Sequence, residues 1–76
     1  MNIKVLGSGC RNCATTYQLI EDVCAENAIP VNMEKVEDMA AIMSYGIMST
    51  PGVVIDGEVV HAGGIPSRRQ VESWLD

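Results

Sequence analysis

The spacing of apolar and polar positions divides the chain into short periodic stretches, and each period predicts an element. Ile3, Val5 and Leu6 form a β-prone run that ends at Gly7-Ser8-Gly9, a strand followed by a turn. From Arg11 to about Asn27 no proline occurs, and Cys13, Tyr17, Ile20 and Cys24 recur at helical steps, with Leu19 and Val23 widening the apolar face. Pro30 stops that helix, and Val31 to Val36 sets Val31, Met33 and Lys35 against Asn32, Glu34 and Val36, a second strand. A helix between two strands fits a βαβ unit with parallel pairing. Glu37-Asp38 then opens a short helix with Met39, Ile42 and Met43 on one face, closing near Gly46. Beyond the connector Ile47-Met48-Ser49-Thr50-Pro51, two β-branched runs, Val53-Val54-Ile55 and Glu58-Val59-Val60, flank Asp56-Gly57. That dipeptide accepts a type I′ turn, so the pair is an antiparallel hairpin. Gly63-Gly64-Ile65-Pro66 breaks the chain again. Ser67, with Gln70 three residues on, makes a capping box for a last helix whose inner face is Val71, Trp74 and Leu75. The predicted order is β-α-β-α-β-β-α in one domain, residues 1–76, without repeat or linker.

Composition narrows the classes. A 76-residue chain has room for one core, and 47% hydrophobic with 20% charged residues is ordinary globular usage, not that of a disordered tail. Ten acids against five bases give a net charge of −5, opposite in sign to the footprint of a nucleic-acid binder. No apolar run approaches the ~18 residues of a membrane span, so neither nucleic acid nor membrane is an expected partner. The stretch Met1 to Leu6 is too short for a signal peptide and has no cleavage pattern after it, so a cytoplasmic location is expected.

Candidate chemistry centres on the three cysteines, an odd count that a closed disulfide framework would leave unbalanced. Cys10 and Cys13 form Cys-x-x-Cys where a loop meets a helix, which puts Cys10 at the N-cap or first position and Cys13 one turn further in. Thiols attack disulfides as thiolates, and at a pKa of ~8.5 only a few per cent of a free cysteine is ionised at neutral pH. Unpaired N–H groups at the helix N-terminus lower that value by roughly one unit, and Arg11 adds to the effect or stands as an exposed first-turn residue. A Cys10 pKa between about 5 and 7.5 is predicted. Residues three apart on a helix are neighbours, so Cys13 lies within reach of a mixed disulfide on Cys10 and resolves it. Cys24 shares the helix face but lies roughly 16 Å along the axis from Cys13. It can neither join the pair nor share a metal with it, and reads as a small buried apolar residue.

Cys10-Arg11-Asn12-Cys13 after a first strand, Thr50-Pro51 before a hairpin and Gly63-Gly64 after it resemble the thioredoxin-like superfamily. The likeness is strongest to the small redox-active disulfide proteins of thioredoxin–glutaredoxin type of bacteria and archaea, and covers nearly the whole chain. It implies an α/β fold of three layers, α/β/α, with a four-stranded mixed sheet in the order 2-1-3-4. It further implies a thiol–disulfide oxidoreductase with Cys10 as nucleophile and Cys13 as resolving thiol, needing no cofactor. Pro51 is then expected after a cis bond, with Thr50 offering its backbone to an extended substrate and Gly63 and Gly64 shaping the groove. The implied partners are disulfide-containing proteins, a reductase of thioredoxin-reductase type, and glutathione or another small thiol. Departures from the better-known members are visible: Gly9 stands where thioredoxins carry Trp, and Arg11-Asn12 where they carry Gly-Pro. Lys4 occupies the place of their buried Asp, which accepts the proton of the second cysteine, leaving the general base open, with water as one candidate; the lysine itself reads as a strand-end residue reaching solvent.

The other polar candidates carry blander readings. Arg68 and Arg69 follow the cap of the last helix and either meet a glutathione carboxylate or form a solvated face, and His61 ends a strand as a surface residue. Gly7-Ser8-Gly9 is too short a signal for phosphate binding. The rival class is a Cu(I)-type metal carrier, in which two thiolates hold a soft ion. Such domains run βαββαβ and end in a strand, whereas this chain is predicted to end in a capped helix. A structural zinc site needs four ligands, of which Cys10 and Cys13 supply two.

Overall fold

The computed structural model describes residues 1–8 and 11–75. Among them the elements are β1 (Asn2–Leu6), α1 (Arg11–Glu26), β2 (Asn32–Val36), α2 (Met39–Ser44), β3 (Gly52–Ile55), β4 (Glu58–Ala62) and α3 (Arg68–Trp74), in the predicted order. The sheet runs β2-β1-β3-β4. β1 pairs parallel with β2, while β3 pairs antiparallel with β1 and with β4. The last element being a helix, the order is not that of the metal-carrier class.

Strand alternation divides β1 between the two faces of the sheet. Ile3 and Val5 join Ile20, Val23 and Cys24 of α1, Val53 of β3 and Val71 of α3 in the larger core. Leu6 joins Ile42 of α2 and Val54 in a smaller one. Helices α1 and α3 therefore cover one face and α2 the other, the three-layer α/β/α arrangement.

Local chemistry accounts for most boundaries. The Ser67 side chain accepts from Gln70 N at 3.1 Å and the Gln70 side chain accepts from Ser67 N at 2.9 Å, so the capping box is complete. Asp56 (φ 48°) and Gly57 (φ 86°) both have positive φ, as a type I′ turn demands. Helix α1 ends one residue earlier than predicted, because Ala28 turns left-handed (φ 54°) and lets Ile29 N donate to Cys24 O at 2.9 Å. Pro30 lies just outside this cap. Strand β2 begins at Asn32, not Val31.

Met39, Ile42 and Met43 share one face of α2 as expected, and of the three Ile42 alone is buried, the methionines being 56% and 68% exposed. One expectation is corrected here. Lys4 is not at a strand end. It sits mid-strand on the α2 face, donates to the Tyr45 hydroxyl at 3.3 Å and pairs with Glu34 at 3.8 Å. That hydrogen bond, with the Glu34 charge adding, raises its ammonium above the ordinary 10.5.

Candidate active site

Gly7 follows β1, and its N–H donates to Val36 O at 2.9 Å, carrying the β1/β2 ladder one residue beyond the strands. This fixes Gly7 beneath the first turn of α1. A Cβ placed on Gly7 would overlap Cys13 Sγ and would lie 3.1 Å from Cys13 Cβ and 3.6 Å from Thr50 Cβ. The end of β1, the start of α1 and the residue before Pro51 thus converge on one missing methyl group, a close approach that only glycine permits.

Cys13 is the third residue of α1, 8% exposed and disulfide-bonded. Cys10 and Gly9 lie outside the described residues, and with them the helix-cap position expected for Cys10. Cys24 is a free, buried thiol. Burial pushes its thiol above the ordinary 9.0, as fits a residue held in the core. Thr16, polar yet fully buried among the apolar positions of α1, donates its hydroxyl to Asn12 O at 2.7 Å and so needs no other partner.

The Thr50–Pro51 peptide bond is cis, and Pro51 is buried. Its carbonyl accepts from Gly63 N at 2.9 Å, and a Cβ on Gly63 would lie 3.0 Å from Ser49 Cβ. Gly63 (φ 87°) and Gly64 (φ 75°) use backbone conformations that other residues avoid. His61, expected at the surface, is instead half-buried. Its Nε2 pairs with Gly64 O at 2.9 Å, which makes it the donor in the Nε2–H tautomer, and its ring packs on Trp74 with centroids 5.7 Å apart. The histidine therefore holds the glycine turn that meets Pro51. Its spacing of three residues from Gly64 across that turn is the sequence signal that could have found it.

A cavity of about 450 Å³ opens beside Cys13, lined by Val5, Gly7, Arg11, Cys13, Ala14, Lys35 and Glu37. Lys35 and Glu37 are absent from the sequence-based candidates. Register brings them here: Val5 pairs with Lys35, so Lys35 shares the α1 face, and Glu37 two residues on continues that face beside Gly7. Lys35 Nζ also sits 4.9 Å from the centre of the Tyr17 ring. Lys4 and Glu34 occupy the opposite face. Arg68 is bound to Glu26 at 2.6 Å and Glu72 at 3.5 Å, joining the end of α1 to α3, and Arg69 is exposed; both belong to a solvated helical face.

No described helix is long and apolar enough to cross a membrane, and no three described His, Cys, Asp or Glu residues are grouped to hold a metal ion.

Fold and site together define a small α/β domain that presents a cysteine at the start of its first helix against a cis-proline turn. A thioredoxin-domain family profile matches residues 1–76. The chain belongs to the thioredoxin family, whose members are thiol–disulfide oxidoreductases. It is 29% identical over 75 residues to a thioredoxin of Methanothermobacter thermautotrophicus, covering 99% of this chain and 97% of that protein. A thioredoxin of Methanocaldococcus jannaschii is 33% identical over 73 residues, covering 96% and 84%.

Proposed function

We propose that this protein reduces disulfides in protein substrates through a Cys10–Cys13 dithiol. The observation that carries the reading is the convergence of Cys13 and Thr50 on Gly7, which sets a first-turn cysteine sulfur beside the residue that precedes Pro51. The Cys10 thiolate attacks one sulfur of the substrate disulfide, forming a mixed disulfide and releasing the first substrate thiolate. Cys13 then attacks Cys10 Sγ, the bond to the substrate breaks and the second thiolate leaves. Two electrons and two protons pass from the dithiol to the substrate, and the pair ends oxidised.

Arg11, exposed and lining the cavity beside Cys13, favours the thiolate form. The Thr50 backbone accepts the substrate as an added strand, and the Gly63–Gly64 turn, tied to Pro51 O, shapes the other wall of the groove. A disulfide reductase of thioredoxin-reductase type returns the pair to the dithiol, a small thiol such as glutathione is a second exchange partner, and the cytoplasm is the compartment in which such a cycle is driven.

The test is dithiothreitol-driven reduction of a protein disulfide by the wild type and three variants. Cys10→Ser abolishes turnover, Cys13→Ser accumulates a mixed disulfide with substrate, and Cys24→Ser retains near-normal activity. Tight stoichiometric Cu(I) or Zn(II) binding by a wild type that shows no exchange overturns the reading.

A further inference from the structure

We infer that Glu37 is the proton acceptor for Cys13 in the resolving step, acting through the cavity that both residues line. This deepens the exchange reading above and rests on it. Before Cys13 can attack, its thiol must lose a proton, and at 8% exposure it has little direct access to bulk water. Among the described residues, three charged ones line the cavity with it: Arg11 from α1, Lys35 from β2 and Glu37 from the segment after β2. The cations favour the thiolate but have no lone pair to take the proton. Glu37 is the carboxylate among these residues, and it is exposed, so a proton it takes can pass on to solvent. A volume of about 450 Å³ admits water between carboxylate and thiol.

The placement follows from the strand register. Val36 O accepts from Gly7 N, which sets Glu37 immediately beyond the residue bonded to Gly7, and Gly7 is the residue against which Cys13 Sγ rests. Glu34 has the same charge but the opposite face, where it pairs with Lys4. Tyr17, Glu21 and Cys24, the other titratable residues of α1 on this side, line a different cavity toward Ile29 and Met33.

In the step, the Cys13 S–H proton passes by way of water to the Glu37 carboxylate as the sulfur's electron pair forms the bond to Cys10 Sγ. The bond from Cys10 to the substrate sulfur breaks, and the departing thiolate takes up a proton from solvent as Glu37 returns its own. A carboxylate is about four units less basic than a free thiolate, so transfer runs together with attack.

Ellman's reagent separates the two halves of the cycle in the Cys24→Ser background. Attack by Cys10 releases one equivalent of thionitrobenzoate, and resolution by Cys13 releases the second. Glu37→Gln is expected to leave the first phase unchanged and to slow the second roughly tenfold at neutral pH, at or below the low end of the usual range for removing a general base. Glu37→Asp restores part of the rate, and Glu34→Gln, an equal charge change on the other face, leaves both phases as in the parent. The sign of the effect is decisive. If Cys13 attacked as a preformed thiolate, removing a nearby negative charge would raise the thiolate fraction and speed the second phase. A second phase that is unchanged or faster in Glu37→Gln, or slowed equally by Glu34→Gln, overturns the assignment while leaving the exchange reading intact. A parent protein that releases no second equivalent overturns the exchange reading and this assignment with it.

Discussion

Gly7→Ala tests the packing on which the site depends. The added methyl would overlap Cys13 Sγ and press on Cys13 Cβ at 3.1 Å. To regain an ordinary separation of about 3.5 Å, sulfur and methyl must part by more than about 1 Å. Neither has an easy escape. Gly7 is pinned by its hydrogen bond to Val36 O, and Cys13 sits in the first turn of α1, a helix held against the sheet through Ile20 and Val23 of the same buried side. Overpacking of this kind costs about 1–3 kcal/mol. For a domain of this length each 1 kcal/mol lowers Tm by roughly 4–8 °C, so a drop of that order or more is expected. A displacement of about 1 Å in a reacting group can cost 10²-fold in rate, and the effect should fall on the step that uses Cys13. Urea unfolding of the oxidised protein measures the first quantity, and the second phase of the Ellman's reaction measures the other. Gly46→Ala is the control: Gly46 has φ 77° and nothing within 4 Å of an added Cβ, so that variant loses stability through backbone strain alone and keeps its resolution rate. A Gly7→Ala protein with unaltered stability and a second phase within about twofold of the parent would refute the reasoning.

Three further outcomes are expected. Cys24, with its thiol pushed above 9.0 by burial, resists alkylation until the chain unfolds. Just above that pH the unfolded chain has released a proton that the folded chain keeps, so stability present below pH 9.0 is lost as pH rises. Cys24→Ala flattens that slope in urea midpoints of the oxidised protein, below the range near 10.5 and above where Lys4 begins to act in the same direction. Ser67→Ala removes one half of the capping box and costs about 1 kcal/mol, read as a lower urea midpoint with an unchanged slope. His61→Ala loosens the Gly63–Gly64 turn, which raises KM for a protein disulfide several-fold while leaving the reaction with Ellman's reagent unaffected; equal effects on both substrates would remove His61 from the groove.

What the sequence revealed was local. The hairpin turn, the capping box on α3 and the cysteine pair are each written in a few adjacent residues, and Asp56, Gly57, Ser67 and Gln70 behave as their chemistry requires. Other features are decided where a local pattern meets a tertiary boundary. Met39, Ile42 and Met43 repeat on one face of α2, and the surface beneath it is narrow, formed by Leu6 and Val54 with Val36, Tyr45 and Ile47 at its margin, so Ile42 alone fills it. Thr16 was invisible for the opposite reason: its hydroxyl is satisfied within its own helix, so it packs as an apolar residue would. Lys35 and Glu37 could not be found without the β1/β2 register, because their nearness to Cys13 is a property of pairing between segments some 30 residues apart, as in Val5 with Lys35.

The same register explains how an acidic protein holds a locally cationic site. Net charge is −5, with five basic residues in all. Lys4 and Arg68 are engaged in ion pairs with Glu34, Glu26 and Glu72 away from the cavity, and Arg69 lies on the exposed face of α3. Arg11 and Lys35 line the Cys13 cavity, against one acid among the described residues, Glu37. Among the described residues that line the cavity the balance is positive, a sign that favours a thiolate. One residue of strand slip would move Lys35 to the α2 face and bring Glu34 or Val36 into its place, removing the cation from the thiol while leaving the net charge unchanged. The charge lining the cavity beside Cys13 therefore depends on pairing parity in β2, which the Cys-x-x-Cys motif does not specify.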